Sequence, residues 1–189
     1  MIRMQRMRCF IAVDFNNETK AALLKLQHDV LKLHELKSVK TVSTSTLHVT
    51  LNFLGEITPS EAANIGAALR SVKFHPFCVT LAGVGALPSV KKMRVIYVGF
   101  PPSEDFFGLN SRIEAVLPKE YLSNREFNPH VTLGRVKKRV SAELQLLARS
   151  IQTSAAYQVG RCNVDSFQLK KSTLTPQGPI YETLEEYWL

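Results

Sequence analysis

A chain of 189 residues, 45% hydrophobic and 21% charged, fits one globular domain or two small lobes sharing a core. Its 24 basic and 16 acidic residues leave a formal charge of +8, which suits a polyanionic partner, although such an excess also serves plain solubility. Cys9, Cys78 and Cys162 are odd in number and form no Cys-x-x-Cys pair, so neither a disulfide framework nor a structural zinc site is expected, and each reads as a small core residue.

In chain order, Met1 to Met7 carries Arg3 and Arg6 with no apolar run behind them, which excludes a signal peptide and leaves a short lead or a start at Met7. Arg8 to Asp14 alternates as a buried first strand. Asn16 or Asn17 caps a helix carrying Ala21, Leu24, Val30, Leu31 and Leu33 near helical spacing. It ends between His34 and Ser38, with His28 and His34 as solvated surface. Lys40 to Ser43 is a short strand, and Leu47 to Leu54 is a longer one. Thr58-Pro59-Ser60-Glu61 has the pattern of a capping box with proline at the first helical position, opening a helix to about Val72.

Phe77, Val79 and Leu81 mark a strand after Pro76, with His75 in a loop. Gly83 to Pro88 bends the chain, and Met93 to Phe100 returns as the second arm of a hairpin. The longest uncharged stretch, about Phe74 to Val90, is broken by proline and glycine and is no membrane span. Ser103 caps a helix from Glu104 to Leu117 with Phe107, Ile113 and Val116 inward, and Pro118 ends it. Pro129 lacks an N–H and sits at the start of the next strand. Ser141 caps a helix to about Ile151 with Leu144, Leu147 and Ala148 inward. Tyr157 to Leu169 holds one or two strands, Thr175 to Pro179 is a turn, and Ile180 to Trp188 is the last strand.

One tetrapeptide is written twice on this scaffold: His48-Val49-Thr50-Leu51 and His130-Val131-Thr132-Leu133, one in each half of the chain. Alternate residues of a strand share a face. His48 and Thr50 therefore point one way, as do His130 and Thr132, while the valines and leucines point into a core. A single His-x-Thr is weak, but a matched pair among five histidines is hard to reach by accident. The strand, helix, motif strand, helix order recurs in outline, an internal pseudo-repeat.

The paired motifs resemble those of the 2H phosphoesterases. Arg8 to Asp14 (RCFIAVD), Leu51 to Glu56 (LNFLGE), Gly83 to Pro88 (GVGALP), Arg94 to Gly99 (RVIYVG) and Ser172 to Tyr181 (STLTPQGPIY) are similar to the RNA 2′,3′-cyclic phosphodiesterase branch, also called 2′-5′ RNA ligases. The stretch from Lys170 to Glu182 resembles archaeal members most. The resemblance implies a bilobal α+β fold over residues 1–189 taken as one domain: two antiparallel sheets flank a central cleft, helices cover the outer faces, and a pseudo-twofold relates the halves. It also implies that His48 gives a proton to the leaving 3′ oxygen and that His130 takes one from water, leaving a 2′-phosphate.

Two imidazoles and two hydroxyls suit that task. Histidine titrates near neutrality, so one ring can be protonated while the other is not, as concerted acid and base catalysis requires. Thr50 and Thr132 can hold non-bridging phosphate oxygens. No third ligand stands at metal-binding spacing, and there is no GxxxxGK[ST] loop, so neither a metal nor another cofactor is expected. Strict alternation puts Asn52 and Gly134 on the cleft face and Arg135 on the core side unless Gly134 permits a bulge. Relatives often carry Lys at the position of Asn52. Arg94 and Arg125 are further contacts to weigh against solvated surface, and Phe127 is either a base platform or a core anchor. The expected partner is RNA with 2′,3′-cyclic phosphate ends, tRNA fragments included, in the cytoplasm and without a membrane. The alternatives are 2′-5′ RNA ligation, in which a 5′-hydroxyl replaces water, and a non-catalytic RNA-binding module.

Overall fold

The computed structural model describes residues 6–31, 36–101, 104–124 and 126–189. The elements are β1 (Met7–Asp14), α1 (Asn17–Leu31), β2 (Val39–Thr41), β3 (His48–Ile57), α2 (Pro59–Leu69), β4 (Phe77–Leu87), β5 (Val95–Gly99), α3 (Glu104–Val116), β6 (Val131–Val136), α4 (Ser141–Thr153), β7 (Gln158–Val164), β8 (Ser166–Thr175) and β9 (Gly178–Trp188). Expectations resting on Arg3, Leu33, His34, Ser103 and Arg125 lie outside the described residues.

Local chemistry explains most boundaries. Asn16 Oδ1 accepts the Thr19 N–H at 2.8 Å and so starts α1. Thr58 and Glu61 close the expected capping box, with Pro59 as the first residue of α2. Other expectations need correcting. α4 has Val140 at its cap position with no side-chain bond, and Ser141 is already helical. In α3 the buried stripe is Phe106, Leu109, Asn110 and Ile113, at the i, i+3, i+4, i+7 spacing of one helix face. Phe107 falls off that stripe and is 46% exposed. Cys9 and Cys162 are core residues, but Cys78 is exposed because Phe77 and Val79 take the inward parity of β4. The glycines after Leu81 do not break β4, which runs on to Leu87 through shifts of register near Ala82.

Hydrogen bonds link the strands in the order β7-β4-β5-β6-β3-β1-β8-β9, with β2 also on β6. The two antiparallel sheets expected from the sequence are here the two halves of one hydrogen-bonded sheet. A single residue pair, Val49↔Val131, joins them between β3 and β6. Beyond that pair β2 takes the edge of β6, from Gly134 to Val136, and keeps β3 away. α1 and α4 pack together and cover β4, β6 and β7. α2 packs on α3 and lays Gly66 against Glu185 and Tyr187 of β9. The buried cluster between helices and strands includes Ile11, Val13, Val49, Leu51, Val131 and Leu133, so the apolar members of both tetrapeptides face inward as expected. Among the described residues no helix is long and apolar enough to cross a membrane.

Candidate functional site

The register of β1 on β3 shows which side chains share a face. Asp14 lies opposite His48, Val13 opposite Val49 and Ala12 opposite Thr50, but Ile11 then meets Asn52 and Phe10 meets Phe53. Leu51 is skipped. This extra residue is a β-bulge, and it reverses the alternation beyond it. Asn52 consequently turns inward with Ile11. It is 2% exposed, and its Nδ2 donates to the Tyr121 carbonyl at 2.8 Å, tying down the short turn at Lys119–Tyr121. Its expected place on the cleft face is overturned. Phe53 takes that place, 66% exposed.

β6 carries the same device at the equivalent position. Val131 pairs with Val98 and Thr132 with Tyr97, then Gly134 with Ile96 and Arg135 with Val95, so Leu133 is skipped. Gly134 faces inward, where a Cβ would stand 2.9 Å from Val39 Cγ1 and 3.1 Å from Leu31 Cδ1. Arg135 returns to the face of Thr132, through the bulge that strict alternation leaves out. The Leu133 carbonyl accepts the Gln27 amide at 2.7 Å and the Val42 N–H at 3.2 Å. Gln27, buried in α1, also donates to the Val42 carbonyl at 3.0 Å. Gln27→Leu is expected to cost about 1–3 kcal/mol in guanidinium unfolding, because it removes two hydrogen bonds worth roughly 0.5–1.5 kcal/mol each. Unchanged stability would show that Gln27 does not hold the bulge.

Both histidines are fixed alike. The Nδ1 of His48 lies 2.7 Å from the Thr46 carbonyl, and that of His130 lies 2.8 Å from the Asn128 carbonyl. A carbonyl only accepts, so each Nδ1 carries a proton and each Nε2 is left for chemistry. His48 Nε2 meets the Thr50 hydroxyl at 3.0 Å. Continuing the antiparallel register from Val49↔Val131 puts His48 opposite Thr132 and Thr50 opposite His130, all on one face. Diagonal neighbours in such a pair have Cβ atoms about 7–8 Å apart, or somewhat less.

Aromatic rings flank the histidines on both sides, and sequence reasoning assigned them no role. Phe10 lies 5.1 Å from the His48 ring, and Tyr181 lies 5.2 Å from it. Tyr97 lies 5.4 Å from the His130 ring. Tyr97 lies across Gly85, where any Cβ would meet its ring at 2.5 Å. The alternation of β1, with Phe10 opposite in parity to Cys9 and Ile11, was the one available signal for Phe10. Of the other candidates, Arg94 is exposed just before β5, and Phe127 packs half-buried against the core with its ring 5.5 Å from Phe107. His28 and His75 are exposed and lie near Asp29 and Asp105.

Burial pushes the His48 imidazole down to about 4. The Thr46 hydrogen bond and Asp14 oppose this shift, while Lys170 and His130 add to it. Lys170 is itself 4% exposed, paired with Asp14 at 2.5 Å and bonded to Thr183 at 3.2 Å. Burial also holds the Cys9 thiol up at about 11 and the Cys162 thiol up at about 12, so neither is a ready nucleophile. Arg135 and Arg8 are near enough to Tyr181 to pull its phenol downward, against a larger upward push from burial. Among the described residues no three His, Cys, Asp or Glu side chains converge as metal ligands.

The His48 shift has a consequence for stability. The unfolded imidazole takes a proton near 6.5, whereas the folded one resists until about 4. The unfolded state therefore binds more protons in this window, and stability falls as pH falls through it. Guanidinium unfolding is expected to lose ~1–2 kcal/mol between pH 7 and pH 5, less in His48→Gln. Equal losses in both proteins would assign the acid sensitivity elsewhere.

The profile of the LigT like phosphoesterase family matches residues 13–97 and again residues 100–181, one match on each half of the chain. An RNA 2′,3′-cyclic phosphodiesterase of Archaeoglobus fulgidus is 34% identical over 182 residues, covering 96% of this chain and 99% of that protein. One of Aeropyrum pernix is 38% identical over 151 residues, covering 78% of this chain and 85% of that one. A crystal structure of a Thermus thermophilus protein superposes with a TM-score of 0.78 at 29% identity, covering 97% of this chain and 98% of the other. Escherichia coli LigT bound to 3′-AMP shares the fold, with a TM-score of 0.77 at 22% identity over 97% and 98% of the two chains.

Proposed function

We propose that this chain, which belongs to the LigT-like phosphoesterase family, hydrolyses 2′,3′-cyclic phosphate ends of RNA to a terminal 2′-phosphate. The observation that carries this reading is the matched pair of imidazoles. Each is locked by a carbonyl two residues upstream, and each leaves Nε2 on one face of two strands that touch at Val49↔Val131.

A cyclic phosphate seated between the rings meets a base on one side and an acid on the other. His130 Nε2 takes a proton from water as the oxygen attacks phosphorus. His48 Nε2–H gives one to the departing ribose 3′ oxygen, on the opposite side of the in-line path. The low proton affinity of His48 belongs to the empty site. The negative charge of a bound phosphate favours the imidazolium and loads the acid only with substrate in place. Thr50 and Thr132 hold the non-bridging oxygens, and Arg135 adds positive charge beside them. Phe53 and Tyr181, packed on the buried Phe10, give the base of the terminal nucleotide an aromatic surface on the His48 side. The formal charge of +8 suits the remainder of an RNA chain. Residues 1–189 act in this scheme as one bilobal unit, without a metal or other cofactor.

The test is incubation of the protein with an oligonucleotide ending in 2′,3′-cyclic phosphate, in excess EDTA, with the position of the product phosphate determined. A 2′-phosphate is expected. Binding of the oligonucleotide without turnover points instead to an RNA-binding module, and activity that EDTA abolishes and a divalent metal restores rules out the two-histidine scheme.

A further inference from the structure

The two tetrapeptides are identical and their histidines are tied alike, yet one ring gives a proton and the other takes one. The difference lies in the strands beside them. β1 places Asp14 opposite His48 and Ala12 opposite Thr50. β5 places Tyr97 opposite Thr132, and one further step in that register places Gly99 opposite His130. Directly opposite residues of an antiparallel pair share a face, with Cβ atoms about 4.5–5.5 Å apart. The pseudo-repeat therefore sets a carboxylate beside one imidazole and a bare glycine beside the other.

Asp14 is built into its place. Its Oδ2 accepts from Lys170 Nζ at 2.5 Å, and its backbone N–H donates to Gln168 Oε1 at 3.1 Å. Gln168 is buried and donates onward to Ser166 Oγ at 2.9 Å and Glu186 Oε1 at 3.0 Å. Lys170, also buried, gives a second bond to Thr183, which stands opposite it because the register of β9 on β8 skips Leu184. A buried ion pair adds little to stability, since desolvation offsets most of the attraction, and apolar residues of similar volume often serve as well. Stability alone gives no reason for this pair beside His48. We propose that Asp14, positioned by Lys170, is what makes His48 the proton donor of the two histidines. The inference rests on the division of roles proposed above and supplies its cause. A carboxylate beside an imidazole favours the charged ring, and an ammonium disfavours it. Asp14 on β1 acts on His48 in the first sense, and Lys170 on β8 and His130 on β6 act in the second. Tyr181 on β9 is uncharged at neutral pH, and Arg8 on β1 and Arg135 on β6 act on its phenol. Lys170 keeps the Asp14 carboxylate bonded to itself and off the ring, so the proton that bound phosphate brings to His48 stays on Nε2 for the 3′ oxygen. Gly99 gives His130 no such charge, and that ring is left to take a proton from water.

The experiment is NMR titration of the His48 imidazole, its signal identified by its loss in His48→Gln, in the wild-type chain, Lys170→Met and Asp14→Asn. Lys170→Met is expected to raise the proton affinity of His48 by about threefold or more, and Asp14→Asn to lower it by about as much. A merely structural pair would not move the ring in opposite directions. Hydrolysis gives a second reading. Asp14→Asn is expected to lower kcat by about three- to tenfold on the ordinary cyclic phosphate, and by less than about twofold when sulfur replaces the bridging 3′ oxygen, since a thiolate leaves without the proton. Lys170→Met leaves behind only the Asp14 carboxylate, whose side chain is 31% exposed and open to water. An unmoved His48 in that variant overturns the inference even where Asp14→Asn does not fold. Shifts of the same sign in both variants, or equal losses on the two substrates, overturn it too. An inactive wild-type chain overturns the proposed function and this inference with it, whereas unmoved titrations in an active enzyme overturn the inference alone.

Discussion

Replacing either histidine by alanine is expected to lower kcat by about 10²–10⁴, the usual worth of one positioned acid or base. A leaving group that needs no proton should separate the two roles. With sulfur replacing the bridging 3′ oxygen, the thiolate departs unaided. His48→Ala is then expected to recover most of its loss, and His130→Ala none. The pH profile alone does not make this distinction. His48 titrates near 4 in the empty site whichever way it moves its proton, and a bell-shaped rate looks the same with acid and base exchanged. Recovery in His130→Ala and not in His48→Ala would reverse the assignment. Unchanged hydrolysis of the ordinary substrate in both variants would remove the histidines from the mechanism.

The threonines come next. Thr50→Val and Thr132→Val keep the shape of the strand and remove one hydroxyl each. A hydrogen bond to a charged group is worth roughly 1.5–3 kcal/mol, so each change is expected to lower kcat/KM by about one to two decades. Thr50 carries a second consequence, because its hydroxyl stands 3.0 Å from His48 Nε2 in the empty site. Its loss removes a donor to the neutral ring and is expected to raise the proton affinity of His48, which NMR titration of the imidazole reads directly. Full activity in the double variant would leave the two hydroxyls without a phosphate to hold.

What the sequence disclosed and what it hid have different physical origins. Alternation in a strand is local, so the common face of His48 and Thr50 and the inward aim of Val49 and Leu51 were legible from spacing alone. The capping box at Thr58 is equally local. A bulge is not local, because it depends on which residues a neighbouring strand chooses to bond. Skipping Leu51 and Leu133 reversed the expected positions of Asn52, Gly134 and Arg135 together. Gly134 was the only visible hint, and its missing side chain turns out to be room for Val39 and Leu31. Gln27 read as one more helical residue, since its hold on the Leu133 carbonyl exists only once α1 lies on the sheet. Tyr181 stands far along the chain from His48 and reaches it only because β8 and β9 add to the edge of β1.

That last arrangement bears on how the molecule is made. β1 leaves the ribosome well before β8, one of its two neighbours in the sheet. Until residues beyond Ser166 emerge, β1 pairs with β3 alone and keeps an open edge, the kind of surface on which nascent chains stick to one another. Lys170, the partner of Asp14, and Tyr181 are missing over the same interval. A product of premature termination or of a nick before β8 would therefore carry both histidine motifs without the wall that shapes the first, and is expected to be an aggregation hazard instead of a weak enzyme. The first histidine motif gains its wall only once β8 and β9 have been made and have joined β1.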